Sequence, residues 1–455
     1  MRVATSRLRN RLPIALISAA AVVAATAAPA AISSGHQPAS GSKTPAIGVH
    51  PHFINAGSPV ETADGPVFSC QKTVPAGCYG PQQMRAAYGV DKLAAGGLDG
   101  RGRTIVIVDA YSSPSLQSDL ATFNNLFGLP AASLQQIAPD GLTPFDPASA
   151  NQVGWSGEIT LDVEWAHAIA PAATIKLVLA KSNDDADILS ATRYAVSNNL
   201  GDVISQSFGE AEQCMLPTLV QQQNALFAQA VKERITLLAS SGDQGAAQPT
   251  CDGSAYFKAA STPASDPNVT GVGGTRLVAD GLTGAYQSES VWNEPQFEAG
   301  GGGGFSVLYR APSYQRGDHL SSRGVPDIAY NAAIIGGALT VWTRGGSQGV
   351  FRFGGTSAGS PQWAGLVALA NQLRQGRVGA LNPQLYAMSH SAKKYAAAFH
   401  DVTAGDNTFT YGTDAGGQAT VAGFAAQPGW DAASGLGSPA ADVLVPALAA
   451  DAEGD

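Results

Sequence analysis

Thr104-Ile-Val-Ile-Val-Asp109 is a run of β-branched residues that ends on an acid, and its reading decides the fold. A short, continuously apolar segment of this kind is a strand buried in a sheet. Three more runs follow: Thr174-Ile-Lys-Leu-Val-Leu-Ala180, Asp202-Val-Ile-Ser205 and Ile235-Thr-Leu-Leu-Ala239. Helices are predicted between them near residues 115–127, 184–199 and 216–233. Strands separated by helices make a parallel sheet flanked by helices on both faces, an α/β fold in one large domain. Ligands of such sheets gather at the carboxyl ends of the strands. Those ends carry Asp109, Ser205 to Ser207, and Ser240-Ser-Gly-Asp243.

Composition sets the setting for this domain. With 44% hydrophobic and 13% charged residues the 455-residue chain is built to fold, and its 53 glycines point to many tight turns. Arg2, Arg7, Arg9 and Arg11 precede an apolar run and Ala28-Pro29-Ala30, the pattern of a secretory signal over residues 1–30. Residues 31–65, rich in Ser, Gly, Pro and His, read as a linker or a reduced propeptide ahead of a 66–449 domain, with folded structure expected from near Cys70. Removing the signal leaves 22 Lys+Arg against 35 Asp+Glu, a net charge of −13. Such acidity disfavours nucleic acid as a partner, and the mature chain has no apolar run suited to a membrane. Four cysteines in an exported chain imply disulfides, and proximity favours Cys70–Cys78 and Cys214–Cys251.

The chemistry-bearing segment lies late. Phe353-Gly-Gly-Thr-Ser-Ala-Gly-Ser-Pro361 precedes an Ala-rich stretch that reads as a helix, so Ser357 sits near a helix N-terminus, where backbone N–H groups favour developing negative charge. An ordinary serine cap is the plainer reading of an isolated Thr-Ser. Gly355-Thr-Ser-Ala-Gly359 matches the nucleophile elbow of α/β-hydrolases, but that class orders its triad Ser, then acid, then His. No acid stands between Ser357 and Asp401, and the last histidine is His400, so that order cannot be assembled. A Ser-His-Asp triad beginning at Asp109 lacks a histidine in a glycine-rich turn. The Gly300–Gly304 run reads as a flexible substrate-binding loop, since no Lys-Ser/Thr follows to make a phosphate cradle.

Either the protein is inactive, or another base does the work. Gly157-Glu-Ile-Thr-Leu-Asp162 places Glu158 and Asp162 four residues apart. On a helix their Cβ atoms stand about 5–6 Å apart on one face. The alternation of Ile159, Leu161, Val163 and Trp165 equally permits a strand, which would separate the acids by roughly 13 Å. Taken alone, two such acids more often mark a solvated face than a catalytic pair.

The serine box Gly354–Pro361, the Gly157-Glu158-x-x-x-Asp162 segment and Ser241-Gly-Asp243, in this chain order, resemble the sedolisin family of serine-carboxyl peptidases over roughly residues 75–445. The resemblance implies a subtilisin-like fold and a secreted, monomeric endopeptidase that cuts protein and peptide substrates at acidic pH. It implies that Ser357 attacks the scissile carbonyl, Glu158 takes its proton, Asp162 orients Glu158, and a protonated Asp243 donates to the oxyanion. It further implies one structural calcium ion, held by Asp401 and the Val402 carbonyl, the Gln427 and Gly429 carbonyls, and the Asp431 carboxylate. Phe208 stands where relatives often carry Trp. The alternative is a catalytically silent binding or adhesion protein on the same scaffold.

Overall fold

The computed structural model describes residues 47–48, 52–63, 65–318, 320–413 and 416–450. The signal reading of residues 1–30 lies outside the described residues. So does most of the stretch read as linker or propeptide, but its end carries structure. Strand β1 (His52–Asn55) is already part of a sheet, and Ile47 is buried. Ordered contacts thus begin ahead of Cys70.

The main sheet is built from β3 (Thr104–Ala110), β4 (Ser133–Ile137), β5 (Thr174–Ala180), β6 (Val203–Gln206), β8 (Thr236–Ser240), β10 (Thr270–Ala279), β11 (Tyr286–Val291) and β12 (Ile328–Asn331). Their spatial order is β11-β10-β8-β6-β3-β5-β4, with β12 also beside β10. All pairings are parallel except that of β10 with β11. The Thr104–Asp109 run is thus the central strand β3, buried from Ile105 onward. Its alternate residues enter different cores: Ile105 and Ile107 face one apolar cluster, Val106, Val108 and Ala110 the other. This period of two is why a strand covered on both faces must be apolar throughout.

Helices α1 (Leu116–Phe127), α3 (Asp185–Ser197) and α4 (Pro217–Lys232) fall within a few residues of their predicted places. The segment that could have been helix or strand is a helix, α2 (Ala150–Ile169), capped by the Ser149 hydroxyl accepting from the Gln152 N–H. Its wall is buried nearly all round, from Trp155 through Ile169. This explains the misleading alternation: a helix with no solvent face need not show a period of 3.6. It packs against α5 (Gly359–Arg374), the helix that follows the serine box.

A second sheet of four strands carries the nucleophile. It has the order β1-β14-β13-β2, with β2 at Cys78–Tyr79, β13 at Gly337–Arg344 and β14 at Ser347–Gly354. Both favoured disulfides, Cys70–Cys78 and Cys214–Cys251, are formed. No helix among the described residues is long and apolar enough to cross a membrane.

Candidate active site

Strand β14 delivers the chain to Gly354, a single 3-10 turn spans Thr356–Ala358, and α5 begins at Gly359. Ser357 is thus fixed between a strand end and a helix start, with 7% of its surface exposed. Its hydroxyl donates to the Ser207 carbonyl at 3.4 Å, just past the end of β6. Gly355 has φ +137°, and a Cβ there would lie 2.7 Å from Oδ2 of Asp243. Only glycine serves at this point, because any side chain would strain the backbone and push Asp243 aside.

Asp243 follows β8 across Ser241 and Gly242. Its Oδ1 accepts from the Thr356 N–H at 2.7 Å and from the Thr356 hydroxyl at 2.8 Å. Those bonds aim the carboxyl at the nucleophile's turn and favour its charged form. Burial opposes them more strongly and pushes the pKa up to about 6.

The turn is held from behind by the glycine run. The Gly302 N–H donates to the Gly242 carbonyl at 2.7 Å, and the Gly300 N–H to the Asp243 carbonyl at 2.9 Å. A Cβ on Gly302 would meet the Ser241 carbonyl oxygen at 2.1 Å. Gly300–Gly304 is therefore buried scaffold, and the expectation of a flexible loop there is corrected: these glycines are needed for close backbone approach.

Glu158 and Asp162 sit one turn apart on α2, both wholly buried. Burial raises the Glu158 pKa well above its ordinary value, and the nearby charges of Asp162 and Asp243 raise it further, while the Ser357 hydroxyl pulls it down. For Asp162 burial comes first, then the charge of Asp109, against the lowering influence of the Ser207 hydroxyl. None of the six carboxyl oxygens of Asp109, Glu158 and Asp162 has a fully formed hydrogen bond among the described residues. Buried acids in this state keep protons among themselves and titrate as a group. Glu158 thus lies inside the molecule with its partner Ser357, not in a solvated helix face.

Asp109 is the member that sequence reasoning did not place here. The sequence marks it at a ligand-gathering strand end and as the acid of a histidine triad, without joining it to Glu158 and Asp162. It is wholly buried, and its pKa is raised by burial and by Glu158. The available signal was its position at the carboxyl end of the central strand. His167 is turned to the Pro130 carbonyl and His400 stacks on Tyr286, so neither takes the place of a base beside Ser357.

Away from this centre, Asp401 and Asp431, the two acids expected to hold calcium, both bond to backbone N–H groups of residues 427–429. The Asp401 carboxylate accepts from the Gly429 N–H at 3.1 Å and from the Tyr395 hydroxyl at 2.9 Å. Asp431 accepts from the Gln427 N–H at 2.9 Å and from the Ala433 and Ser434 N–H groups at 2.8 Å. Both carboxylates therefore converge on residues 427–429, with Val402 directly after Asp401. No cluster of three or more His, Cys, Asp or Glu side chains suited to a metal occurs among the described residues. A set of two carboxylates completed by backbone carbonyls does not form such a cluster, and its all-oxygen chemistry fits a hard cation.

A parallel α/β sheet with helices on both faces, a serine at a strand-to-helix turn and an acid beside it define a class, the subtilisin-like serine peptidase scaffold. The chain belongs to the subtilase family, whose model matches residues 150–412. Within it the chain is similar to sedolisin-type members. It is 34% identical over 388 residues to kumamolisin of Bacillus sp. (strain MN-32), covering 81% of this chain and 63% of that one. It is 33% identical over 383 residues to sedolisin of Pseudomonas sp. (strain 101), covering 76% and 61%. The chain thus spans less than two thirds of the length of these curated relatives. Among solved structures it matches Pseudomonas sedolisin, a serine-carboxyl proteinase complexed with two molecules of pseudo-iodotyrostatin, at a TM-score of 0.69 and 28% identity. That match covers 81% of this chain and 97% of that one.

Proposed function

We propose that the chain is a secreted serine-carboxyl endopeptidase acting on peptide bonds at acidic pH. The observation that carries this reading is the buried Glu158 beside Ser357, with Asp243 tied to the adjacent Thr356. In the reaction the Ser357 hydroxyl attacks the scissile carbonyl carbon while an ionised Glu158 accepts its proton. Asp162 sets the orientation and the charge balance of Glu158. The new oxyanion takes a hydrogen bond from neutral Asp243. Glu158 then passes the proton to the leaving amine, and water attacks the acyl-enzyme with Glu158 again as base.

Two demands fix the pH range. Glu158 must lose its proton to act as a base, and Asp243 must keep its own to act as a donor. Since Asp243 is pushed up to about 6, it is neutral below that value and charged above it. Because burial also holds the proton on Glu158, the reacting form is the fraction with the charge on Glu158 and the proton on Asp243. Digestion of an unfolded protein is expected to be fastest on the acidic side of neutrality and to fade by pH 8. A full plateau at pH 8 would remove the carboxyl mechanism. The disulfides and the signal-like N-terminus support an extracellular setting.

We further propose one structural calcium at the Asp401–Asp431 turn, held by Asp401 and Asp431 with the carbonyls of Val402, Gln427 and Gly429. Its expected role is to clamp the two segments, so a chelator should lower the melting temperature by several degrees and added calcium should restore it. Asp401→Ala should melt at the chelated temperature and no longer respond. An unchanged melting temperature in chelator would exclude the ion.

A further inference from the structure

The stretch Ile47–Gly48 shows how an extended peptide is gripped near the nucleophile. The Gly48 N–H donates to the Gly209 carbonyl at 3.3 Å, and the Gly209 N–H returns a bond to Gly48 at 3.4 Å. Opposite, Asn183 takes both ends of Ile47: its carbonyl accepts from the Ile47 N–H at 3.0 Å and its side-chain amide donates to the Ile47 carbonyl at 2.8 Å. The Ile47 side chain is 1% exposed and joins the apolar cluster containing Tyr111, Ile188 and Phe208. Tyr111 in turn donates to Oδ1 of Asn183 at 2.7 Å. Gly209 lies two residues past Ser207, whose carbonyl accepts from the Ser357 hydroxyl. Gly48 and Gly209 form an isolated antiparallel bridge, so the segment is held by main-chain bonds on two sides with a pocket for a branched aliphatic side chain.

The two walls of this groove are joined directly behind it. Asp185 opens α3, two residues after Asn183. Glu210 begins β7 (Glu210–Ala211), immediately after Gly209. The two side chains are 4% and 8% exposed, and their carboxyls hydrogen-bond to each other. Asp185 Oδ1 and Glu210 Oε1 have no other partner among the described residues. Two carboxyls can bond only if at least one keeps a proton.

The charged groups around the pair do not supply a counter-ion. Asp184 adds further negative charge on Asp185. Asp187 is held by the Ser182 hydroxyl, and Glu212 is turned to the Ser306 hydroxyl and the Val307 N–H. Lys181, at the start of the same loop, is exposed. Strand β9 (Ser261–Thr262), paired with β7, brings no charge.

We propose that Asp185 and Glu210 are positioning residues for an extended peptide: by sharing a proton they clasp the Asn183 loop to the Gly209 strand, the two walls that hold it. The site takes a peptide with a branched aliphatic residue where Ile47 sits. As a substrate site it rests on the peptidase reading above. Burial, with the charge and hydrogen bond of Asp185, pushes Glu210 up to about 9. Burial and the charge of Asp184 push Asp185 up to about 6, against the lowering hydrogen bond with Glu210. The clasp is therefore closed at acidic and neutral pH and is lost as pH rises through about 9.

The test uses the full chain carrying Ser357→Ala, which binds without cutting, and fluorophore-labelled Ala-Ile-Gly-Val-amide as probe. Affinity is expected to stay level from pH 5 to 8 and to weaken about tenfold or more by pH 10. Adding Glu210→Gln supplies an amide that needs no shared proton, so affinity should stay level throughout. Adding Glu210→Ala should weaken binding about tenfold at every pH, with circular dichroism confirming the fold. An alkaline loss unchanged by Glu210→Gln would overturn the clasp, because that variant keeps every other group that titrates there. Binding by Glu210→Ala equal to the parent would do the same. If the chain with Ser357 intact failed to cut peptides while these binding results held, the peptidase reading would fall and the groove would stand.

Discussion

Ser357→Ala is expected to abolish peptide hydrolysis while leaving the fold intact. The rate should drop by about 10³-fold or more, the scale seen when a covalent nucleophile is removed and only binding and oxyanion stabilisation remain. The fold should survive because the lost hydroxyl makes one long bond, 3.4 Å to the Ser207 carbonyl, and the turn is held by other groups. Those groups are Thr356 on Asp243 and the Gln362 side chain on the Ala358 carbonyl, neither of which involves Ser357. The measurement is the initial rate on an unfolded protein at pH 4, beside a melting curve. Hydrolysis at more than a hundredth of the parent rate, from well-folded variant, would show that another group attacks the carbonyl.

The second large effect concerns Asp243. Asp243→Ala should cost about 10²- to 10³-fold in kcat, the usual consequence of losing one oxyanion donor. Asp243→Asn is the more informative change. An asparagine can keep Oδ1 on the Thr356 N–H and hydroxyl, which leaves its Nδ2 where Oδ2 now faces Gly355. An amide donates at every pH, whereas the acid donates only while neutral. In the parent, activity is expected below about 6 and should be lost as pH rises through that value, where Asp243 ionises. In Asp243→Asn that limb should move upward, because the donor no longer ionises and Glu158 is more fully charged at higher pH. An alkaline limb identical in parent and variant would assign the loss to some other group.

The sequence made the sheet legible because a strand covered on both sides must be apolar at every position, and Thr104–Asp109 is. Glu158, Asp162, Asp243 and Ser357 could be named because each stands in a short motif that is read locally, and all four are buried. Asp109 could not be placed with them, because its meeting with Asp162 depends on how α2 crosses the end of β3. The α2 segment itself was ambiguous for a physical reason: a helix sheathed on all sides loses the polar stripe that would announce it. Gly300–Gly304 misled in the opposite sense. A row of glycines looks mobile, yet here Gly300 to Gly303 lie against the backbone of Trp292, Gly274, Ser241 and Ala432, and Gly304 against the Phe424 ring, contacts made by segments distant in sequence. The early strand β1 was hidden because its partner, residues 351–354, is some three hundred positions away.

The acids packed under Ser357 bind the folding equilibrium to the surrounding medium. Asp109, Glu158, Asp162 and Asp243 all hold protons more tightly in the native molecule than in an open chain, which releases them near pH 4. Folding at higher pH must therefore draw hydrogen ions out of solution. Each ion so retained removes on the order of 1 kcal/mol of stability for every further pH unit. Against a reserve of roughly 5–15 kcal/mol for an ordinary domain, a few such ions suffice to make neutral water a poor habitat and sour surroundings a sheltering one.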